Sequence, residues 1–227
     1  FRFLDLPGEL RNRIYEYAAA STYRYFPTAT FHNEQKRKRR RNAPTSLPDN
    51  IAFMGLTQAS VQLRSEFRNL WLNQVRVPLC ALDSFLTLFM TTIPKRKTGF
   101  DKNGSLRIWL RRTELNDRNI IRLLKHRVRF PDFDIRFEYP PDLPTARVDG
   151  LRALLDNSHP RWIGWVKRNI ISSVRLRLAS IVIVVKERHA PAWMKKTSGM
   201  VIPLAYLPTL GLENASPWRI TFGVDYS

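Results

Sequence analysis

Cysteine, glycine and acidic residues are all scarce in this sequence of 227 residues. Its single cysteine, Cys80, excludes a disulfide within the chain and argues against a small disulfide-stapled secreted domain, so we expect a reducing compartment. The nine glycines form no nucleotide-binding motif, and neither a G-x-S-x-G motif nor the kinase motifs occur. No apolar run reaches the roughly 18 residues that a membrane-spanning helix needs, so we expect no membrane span.

Potential metal ligands and catalytic side chains are scattered as well. No two of the four histidines have the spacing of an H-x-x-x-H zinc site, and a single cysteine cannot form C-x-x-C. Cys80 stands between Leu79 and Ala81, which is typical of a small core residue rather than a nucleophile. We therefore expect no metal, no cofactor and no enzymatic activity.

The shortage of acidic residues leaves a strongly basic chain. Against 19 Asp and Glu there are 38 Lys and Arg, which gives a formal net charge of +19 at pH 7. Such a surface attracts polyanions, including nucleic acid, anionic lipid and acidic proteins, whatever the fold. The alternative interpretation is that the positive charge only keeps the protein soluble. The 44% of hydrophobic residues indicates a folded chain, although length alone leaves one core or two open.

Two groups of cations would bind nucleic acid. A basic loop is predicted at 32–50, and it contains six consecutive cations: Lys36, Arg37, Lys38, Arg39, Arg40 and Arg41. This run fits a nuclear-import signal or a nucleic-acid contact, and also a solvated charge run. The second group would share one face of a predicted helix over 117–129: Arg118, Arg122, Lys125 and Arg129. Phosphate contacts need cations rather than a motif, so we expect binding to DNA or RNA without sequence readout.

The first twenty residues predict an amphipathic helix. Asp5 can cap this helix, and Pro7 suits its first turn because a missing N–H costs nothing there. Its apolar stripe consists of Leu10, Ile14, Tyr17 and Ala18. A second helix is predicted over 57–72, and its apolar face consists of Ala59, Leu63, Phe67, Leu70 and Trp71. We expect the two helices to pack together.

Both predicted helices carry motifs of a known family. Residues 6–18, L-P-G-E-L-R-N-R-I-Y-E-Y-A, resemble the opening helix of F-box and F-box-like domains, especially those of a large group of filamentous-fungal proteins. Residues 56–66 are similar to the second signature of that group, L-x-Q-x-C-R-Q-I-R-x-E, with Ser60 and Val61 replacing its frequent Cys and usual Arg. Looser similarity continues into the C-terminal half, so the resemblance covers most of the chain.

The resemblance implies a protein that binds other proteins. In F-box domains the L-P turn and apolar helix positions dock onto the Skp adaptor of a cullin-RING ubiquitin ligase, and the rest of the chain holds a substrate. Carried over to this sequence, the docking residues are Leu6, Pro7, Leu10, Ile14, Leu56 and Leu63. The alternative is that Leu10, Ile14 and Leu63 are sealed into the protein's own core.

The hydrophobic period changes beyond about residue 93. Strands predicted at 106–110 and 133–139 flank the predicted helix over 117–129 in a β-α-β order. Helices are predicted at 148–155 and 160–171, and strands at 174–178, 181–185 and 218–226, with an extension of the second helix as the alternative at 174–178. We therefore predict an α+β protein with an F-box-like helical region over 1–93 and a small mixed sheet covered by helices over 94–227.

Two functions remain open at this point. One is a non-enzymatic adaptor that recruits a partner to a Skp/cullin ubiquitin ligase, and the alternative is a basic nuclear or ribonucleoprotein component that binds phosphate backbones. We expect a nuclear or cytoplasmic protein. Since the chain begins with Phe1 rather than Met, a removed targeting segment also stays open.

Overall fold

The chain forms two compact units. In a computed structural model, residues 2–24, 53, 55–87, 105–195, 202–203 and 205–227 are described. One unit comprises residues 1–109 and 132–138, and the other comprises residues 110–131 and 139–227. The predicted basic loop at 32–50 and the predicted boundary near residue 93 lie outside the described residues. The strand predicted at 133–139 falls in the first unit, although it follows the helix of the second.

The first unit joins a helical region to a parallel sheet. Its helices are α1 (Gly8–Arg24), α2 (Leu56–Ala59), α3 (Val61–Gln74) and α4 (Leu82–Phe85). Its strands are β1 (Arg76–Pro78), β2 (Ser105–Trp109) and β4 (Asp134–Glu138). They pair in the order β1-β2-β4, and both pairings are parallel. A short 3-10 turn, Phe3–Asp5, precedes α1.

The helix predicted over 57–72 is broken into two at Ser60. The backbone of Ser60 is extended, and its hydroxyl accepts a hydrogen bond of 3.1 Å from the Leu63 N–H. Serine favours such a position because it satisfies an N–H that has no partner inside the helix. The predicted apolar face is wrong at Ala59 and Leu70, which are exposed, and correct at Leu63, Phe67 and Trp71, which are buried.

The second unit contains three helices and a mixed four-stranded sheet. Its helices are α5 (Ile121–Arg129), α6 (Thr145–Leu155) and α7 (Pro160–Lys167). Its strands are β3 (Arg118–Asn119), β5 (Ile171–Leu176), β6 (Ser180–Lys186) and β7 (Arg219–Asp225). The order is β3-β5-β6-β7, antiparallel except for the parallel pair β6-β7. β6 lies inside the sheet, as its β-branched run predicts, with Ile181, Ile183 and Val185 fully buried.

The predicted α+β class and helical N-terminal region are confirmed, and the structure adds a division into two sheets. The predicted β-α-β segment also forms, since β2 and β4 pair in parallel around the connection that contains α5. Its helix begins at Ile121 rather than at residue 117 because the two residues of β3 pair with β5. The Asn119 side chain accepts hydrogen bonds from the N–H groups of Ile121 and Val174, which fixes this change from strand to helix.

Candidate interaction surface

The buried side of α1 packs against α3. Tyr15 and Phe67 are fully buried, and their ring centroids lie 5.4 Å apart. Ala18 and Ala19 complete this face of α1, while Leu63 and Trp71 of α3 are buried with them. This is the helix pairing that the sequence predicts.

The opposite side of α1 presents apolar side chains to solvent. Leu10 is 48% exposed, Ile14 is 41% exposed and Tyr17 is 64% exposed. These three residues, spaced i, i+4 and i+7, lie on one stripe of the helix, which we call the outer face. The sequence groups them with Ala18, but the structure separates them from it, because Ala18 is buried.

The predicted docking residues fall into three groups. Pro7, Leu10 and Ile14 are exposed, whereas Leu6 and Leu56 are half-buried. Leu63 is buried and belongs to the core between α1 and α3. A partner therefore has access to the residues at the start of α1 and along its outer face, and Leu63 stabilises the fold that presents them.

A charged cluster joins the two motifs that carry the F-box-like resemblance. Two guanidinium N–H groups of Arg11 donate to the two carboxylate oxygens of Glu66, each at 3.1 Å. The Tyr15 hydroxyl donates to Glu66 Oε2 at 2.7 Å, and Gln62 Nε2 donates to Oε1 at 3.0 Å. We call Arg11, Tyr15, Gln62 and Glu66 the Glu66 network. The two bonds between Arg11 and Glu66 fix both the distance between α1 and α3 and their relative orientation at this point.

Hydrogen bonds lower the pKa of Glu66 in this network, and burial is the main cause of a raised pKa at Tyr15. Bonds from Gln62, Tyr15 and Arg11 lower the pKa of Glu66 to about 2, so its carboxylate stays charged. Burial, followed by the bond to Glu66, raises the pKa of Tyr15 to about 12. At neutral pH the phenol is therefore a donor and the carboxylate an acceptor.

The same network holds the turn that precedes α1. Arg11 Nη1 donates to the Leu6 carbonyl at 2.6 Å and to the Leu4 carbonyl at 3.2 Å. In the second motif, Arg64 Nε donates to the Thr57 carbonyl at 3.0 Å and ties α2 to α3. The helical periodicity predicts Arg11, Arg64 and Glu66 outside the core and indicates no role for them. Their position within the two family motifs is the feature of the sequence that points to a role.

The predicted nucleic-acid residues are only partly brought together. Lys36 to Arg41 lie outside the described residues. Arg122, Lys125 and Arg129 are exposed on one side of α5, as predicted. Arg118 is not on that helix: it lies on β3 and is half-buried, because residues 118 and 119 pair with β5.

The described residues contain no candidate metal centre. Within them, no three His, Cys, Asp or Glu side chains come together in a group that could hold a metal ion. Burial, followed by the nearby charge of Arg129, lowers the pKa of His126 to about 4, so this ring is neutral at physiological pH. None of the described helices is long and apolar enough to cross a membrane.

Comparison with known families identifies the N-terminal region. Residues 1–91 match the F-box-like domain family. The matched region includes both motifs, all of α1 to α4 and every member of the Glu66 network. No curated protein and no solved structure matches the chain. The match confirms that residues 1–91 contain an F-box-like domain.

Proposed function

We propose that this F-box-like domain protein is a non-enzymatic adaptor that binds a Skp-type protein of a cullin-RING ubiquitin ligase through the outer face of α1. F-box-like domains are typically non-catalytic modules of protein–protein interaction, which supports the class of function. The observation that carries the proposal is the exposure of Leu10, Ile14 and Tyr17 on a helix whose opposite face is already packed. We expect the protein to act in the nucleus or the cytoplasm.

The outer face has the character of a helix-binding interface. Single exposed apolar residues are common on protein surfaces, but a continuous stripe of them marks a contact site. Leu10, Ile14 and Tyr17 have the i, i+4, i+7 spacing of the anchors by which amphipathic helices bind apolar grooves. Aromatic residues such as Tyr17 are also enriched in interface cores. The face therefore suits a protein partner with an apolar groove.

The Glu66 network would act by positioning residues rather than by touching the partner. Arg11 fixes the carbonyls of Leu4 and Leu6, and this holds the turn from which Pro7 leads into α1. A surface that is already ordered pays less entropy when it binds. We therefore expect loss of the network to weaken adaptor binding while leaving the apolar contacts themselves in place.

Co-expression with a Skp-type adaptor, followed by size-exclusion chromatography in high salt, tests the proposal. High salt suppresses association that depends only on the positive charge of the chain. The Ile14→Asp variant places a charge on the outer face, and Leu178→Asp makes the same kind of change at a side chain 51% exposed in the second unit. We expect the wild type and Leu178→Asp to elute with the adaptor and Ile14→Asp to elute alone.

Two outcomes would contradict the adaptor function. One is separate elution of the wild type and the adaptor, and the other is co-elution of Ile14→Asp with the adaptor. Circular dichroism must show that Ile14→Asp keeps the helical content of the wild type. Because Ile14 is exposed, we expect this control to succeed.

Binding to the phosphate backbone of DNA or RNA is the second candidate function. It is favoured by Arg122, Lys125 and Arg129, which are exposed together along α5. Changing Lys36 to Arg41 into alanines should lower nucleic-acid affinity and flatten its dependence on salt concentration. An affinity that does not respond to ionic strength would rule this function out.

A further inference from the structure

The strand β7 forms one edge of the sheet in the second unit. It pairs with β6 on one side, and among the described residues no strand pairs with its other side. The Arg219 N–H donates to the Ala179 carbonyl, so the odd-numbered residues of β7 turn their backbone groups toward β6. Ile220, Phe222 and Val224 therefore turn theirs outward. In the part of the chain that the structure describes, no other backbone group bonds to them.

The other described sheet edges are protected in ways that β7 is not. An open edge strand is a template for pairing with another chain, and short length, proline or charges normally prevent this. β1 has three residues, one of them Pro78, and β3 has two. β4 alternates charged residues from Asp134 to Glu138. β7 has seven residues without proline, and its only charges are at its ends, Arg219 and Asp225.

The sequence of β7 is complementary to itself in the antiparallel direction. When two copies pair about Phe222, Arg219 of each copy lies opposite Asp225 of the other, and Ile220 lies opposite Val224. The residues with outward backbone groups then face one another, so each opposite pair can exchange both N–H···O bonds of an antiparallel ladder. Any other centre within the strand loses both ion pairs. Charge and hydrogen bonding therefore select the same register.

Both ends of β7 carry the charge that this register needs. Arg219 is exposed to solvent. Hydrogen bonds from Ser227, and one from Ser172, lower the pKa of Asp225, so its carboxylate is charged at neutral pH. Opposite charges directly across an antiparallel pair stabilise the pairing, and like charges there destabilise it.

Gly223 fits the approach of a second backbone. Glycine inside a strand weakens it and often marks a place where another backbone comes close. The chain itself does not require glycine here, because an added Cβ would meet Val184 Cγ2 at 3.7 Å, an ordinary van der Waals contact. In the pair centred on Phe222, Gly223 lies opposite Thr221 of the second copy at a closely spaced position without hydrogen bonds. Glycine leaves room there for the threonine side chain.

We propose that β7 pairs antiparallel with β7 of a second copy of this chain, so that two four-stranded sheets become one continuous sheet across a two-fold axis. Such an interface is isologous, because the same residues meet from both sides. It covers the open edge of both copies at once. The outer face of α1 takes no part in this pairing, and the inference does not depend on the adaptor function.

Sedimentation velocity of the full chain over a range of concentrations, at near-physiological salt, tests this pairing. We expect a reversible monomer–dimer equilibrium. Arg219→Glu places like charges opposite each other at both ends of the paired strands and should weaken dimerisation at least about tenfold. Adding Asp225→Lys to this variant restores opposite charges and should recover the dimer. Arg177→Glu, the same change at an exposed residue between β5 and β6, should leave dimerisation unchanged.

The hydrogen bonds can be tested separately from the charges. Val224→Pro removes an outward N–H and leaves the bonds between β7 and β6 in place, so the variant should be monomeric with the circular dichroism of the wild type. Hydrogen exchange followed by NMR locates the interface. The amides of Ile220, Phe222 and Val224 should become protected as the concentration rises, whereas those of Thr221 and Gly223 should be protected at every concentration.

Three results would overturn the proposal. The first is a wild type that stays monomeric up to about 1 mM. The second is a dimer that Arg219→Glu and Val224→Pro leave intact, or one that Ile14→Asp abolishes, which would indicate pairing through the outer face of α1. The third is an equal weakening by Arg219→Glu and Arg177→Glu, which would indicate an effect of overall charge.

Discussion

Glu66 is the residue at which the two motifs of the F-box-like domain meet. Its carboxylate accepts from Arg11 and Tyr15 of the first motif and from Gln62 of the second. Arg11 in turn holds the backbone of the turn that precedes α1. A single carboxylate therefore links helix packing to the position of the residues that we propose as the docking surface.

Replacing Glu66 with glutamine should make the stability difference from the wild type depend on pH. The network lowers the pKa of Glu66 from 4.5 to about 2, so the folded state favours the charged carboxylate. Its stabilisation is therefore complete above pH 4.5 and is lost as the pH falls toward 2. Urea denaturation of both proteins should show the wild type more stable at neutral pH, with a difference that shrinks below about pH 4.5.

Glu16→Gln is the matched control for this measurement. Glu16 is exposed on α1, and the same chemical change there should leave the urea midpoint close to that of the wild type. A wild-type advantage over Glu66→Gln that is constant from neutral to acidic pH would contradict the role assigned to the carboxylate.

The helix α1 shows what sequence periodicity reveals and what it hides. Leu10, Ile14 and Tyr17 form the stripe that hydrophobicity detects, and the structure places that stripe outside. The buried face consists of Tyr15, Ala18, Ala19 and Thr22, which are small or carry a hydroxyl group and so score weakly as a core. Both faces of α1 could be buried. In such a helix the sequence alone does not indicate which face packs against the core.

Elements that depend on distant contacts were also missed. The two residues of β3 have no strand pattern of their own, and they form a strand only because Leu176 and Arg175 lie opposite them. By contrast, β6 was predicted because five consecutive β-branched residues, Ile181 to Val185, are a local signal of a buried strand. The exposed cations of α5, which are Arg122, Lys125 and Arg129, were predicted from their spacing alone.

Packing around α6 yields a prediction about Gly150. A Cβ atom at this position would lie 2.6 Å from the Ser216 carbonyl oxygen and 2.7 Å from Trp218 Cδ1. Backbone cannot move aside easily, so overpacking should outweigh the better helix propensity of alanine. We expect Gly150→Ala to lower the free energy of unfolding by about 1–3 kcal/mol, as measured by urea denaturation.

Gly164→Ala supplies the comparison within the same unit. There the nearest atom to an added Cβ is Nη2 of Arg168, 3.4 Å away at the end of a flexible side chain. Alanine should therefore be neutral or stabilise the protein by up to about 1 kcal/mol. Equal destabilisation by the two changes would show that the close approach at Gly150 is not the cause.

The matched region of residues 1–91 is not a complete structural unit. β1 pairs with β2, and the Ser105 N–H and Arg107 Nε donate to Asn73 at 3.0 and 3.1 Å. β2 and β4 both follow residue 91 in the sequence, and they belong to the first unit. The sheet of the first unit, which β1 joins directly after α3, is therefore completed by strands from beyond residue 91.

A fragment of residues 1–91 should therefore fold poorly. Without β2, the strand β1 has no partner, and its buried Val77 becomes exposed. We expect circular dichroism of the fragment to show a broad thermal transition at lower temperature than the full chain. A cooperative transition at the temperature of the full chain would show that the helical region is independent of the sheet.

Isothermal titration calorimetry at two salt concentrations tests whether a Skp-type adaptor binds the outer face of α1. The adaptor would be titrated with the wild type, Ile14→Asp and Leu178→Asp. We predict that Ile14→Asp weakens binding at least about thirtyfold, as expected for a central interface residue, while Leu178→Asp and added salt change it little. Affinity that falls steeply with salt, or equally in both variants, would contradict the claim.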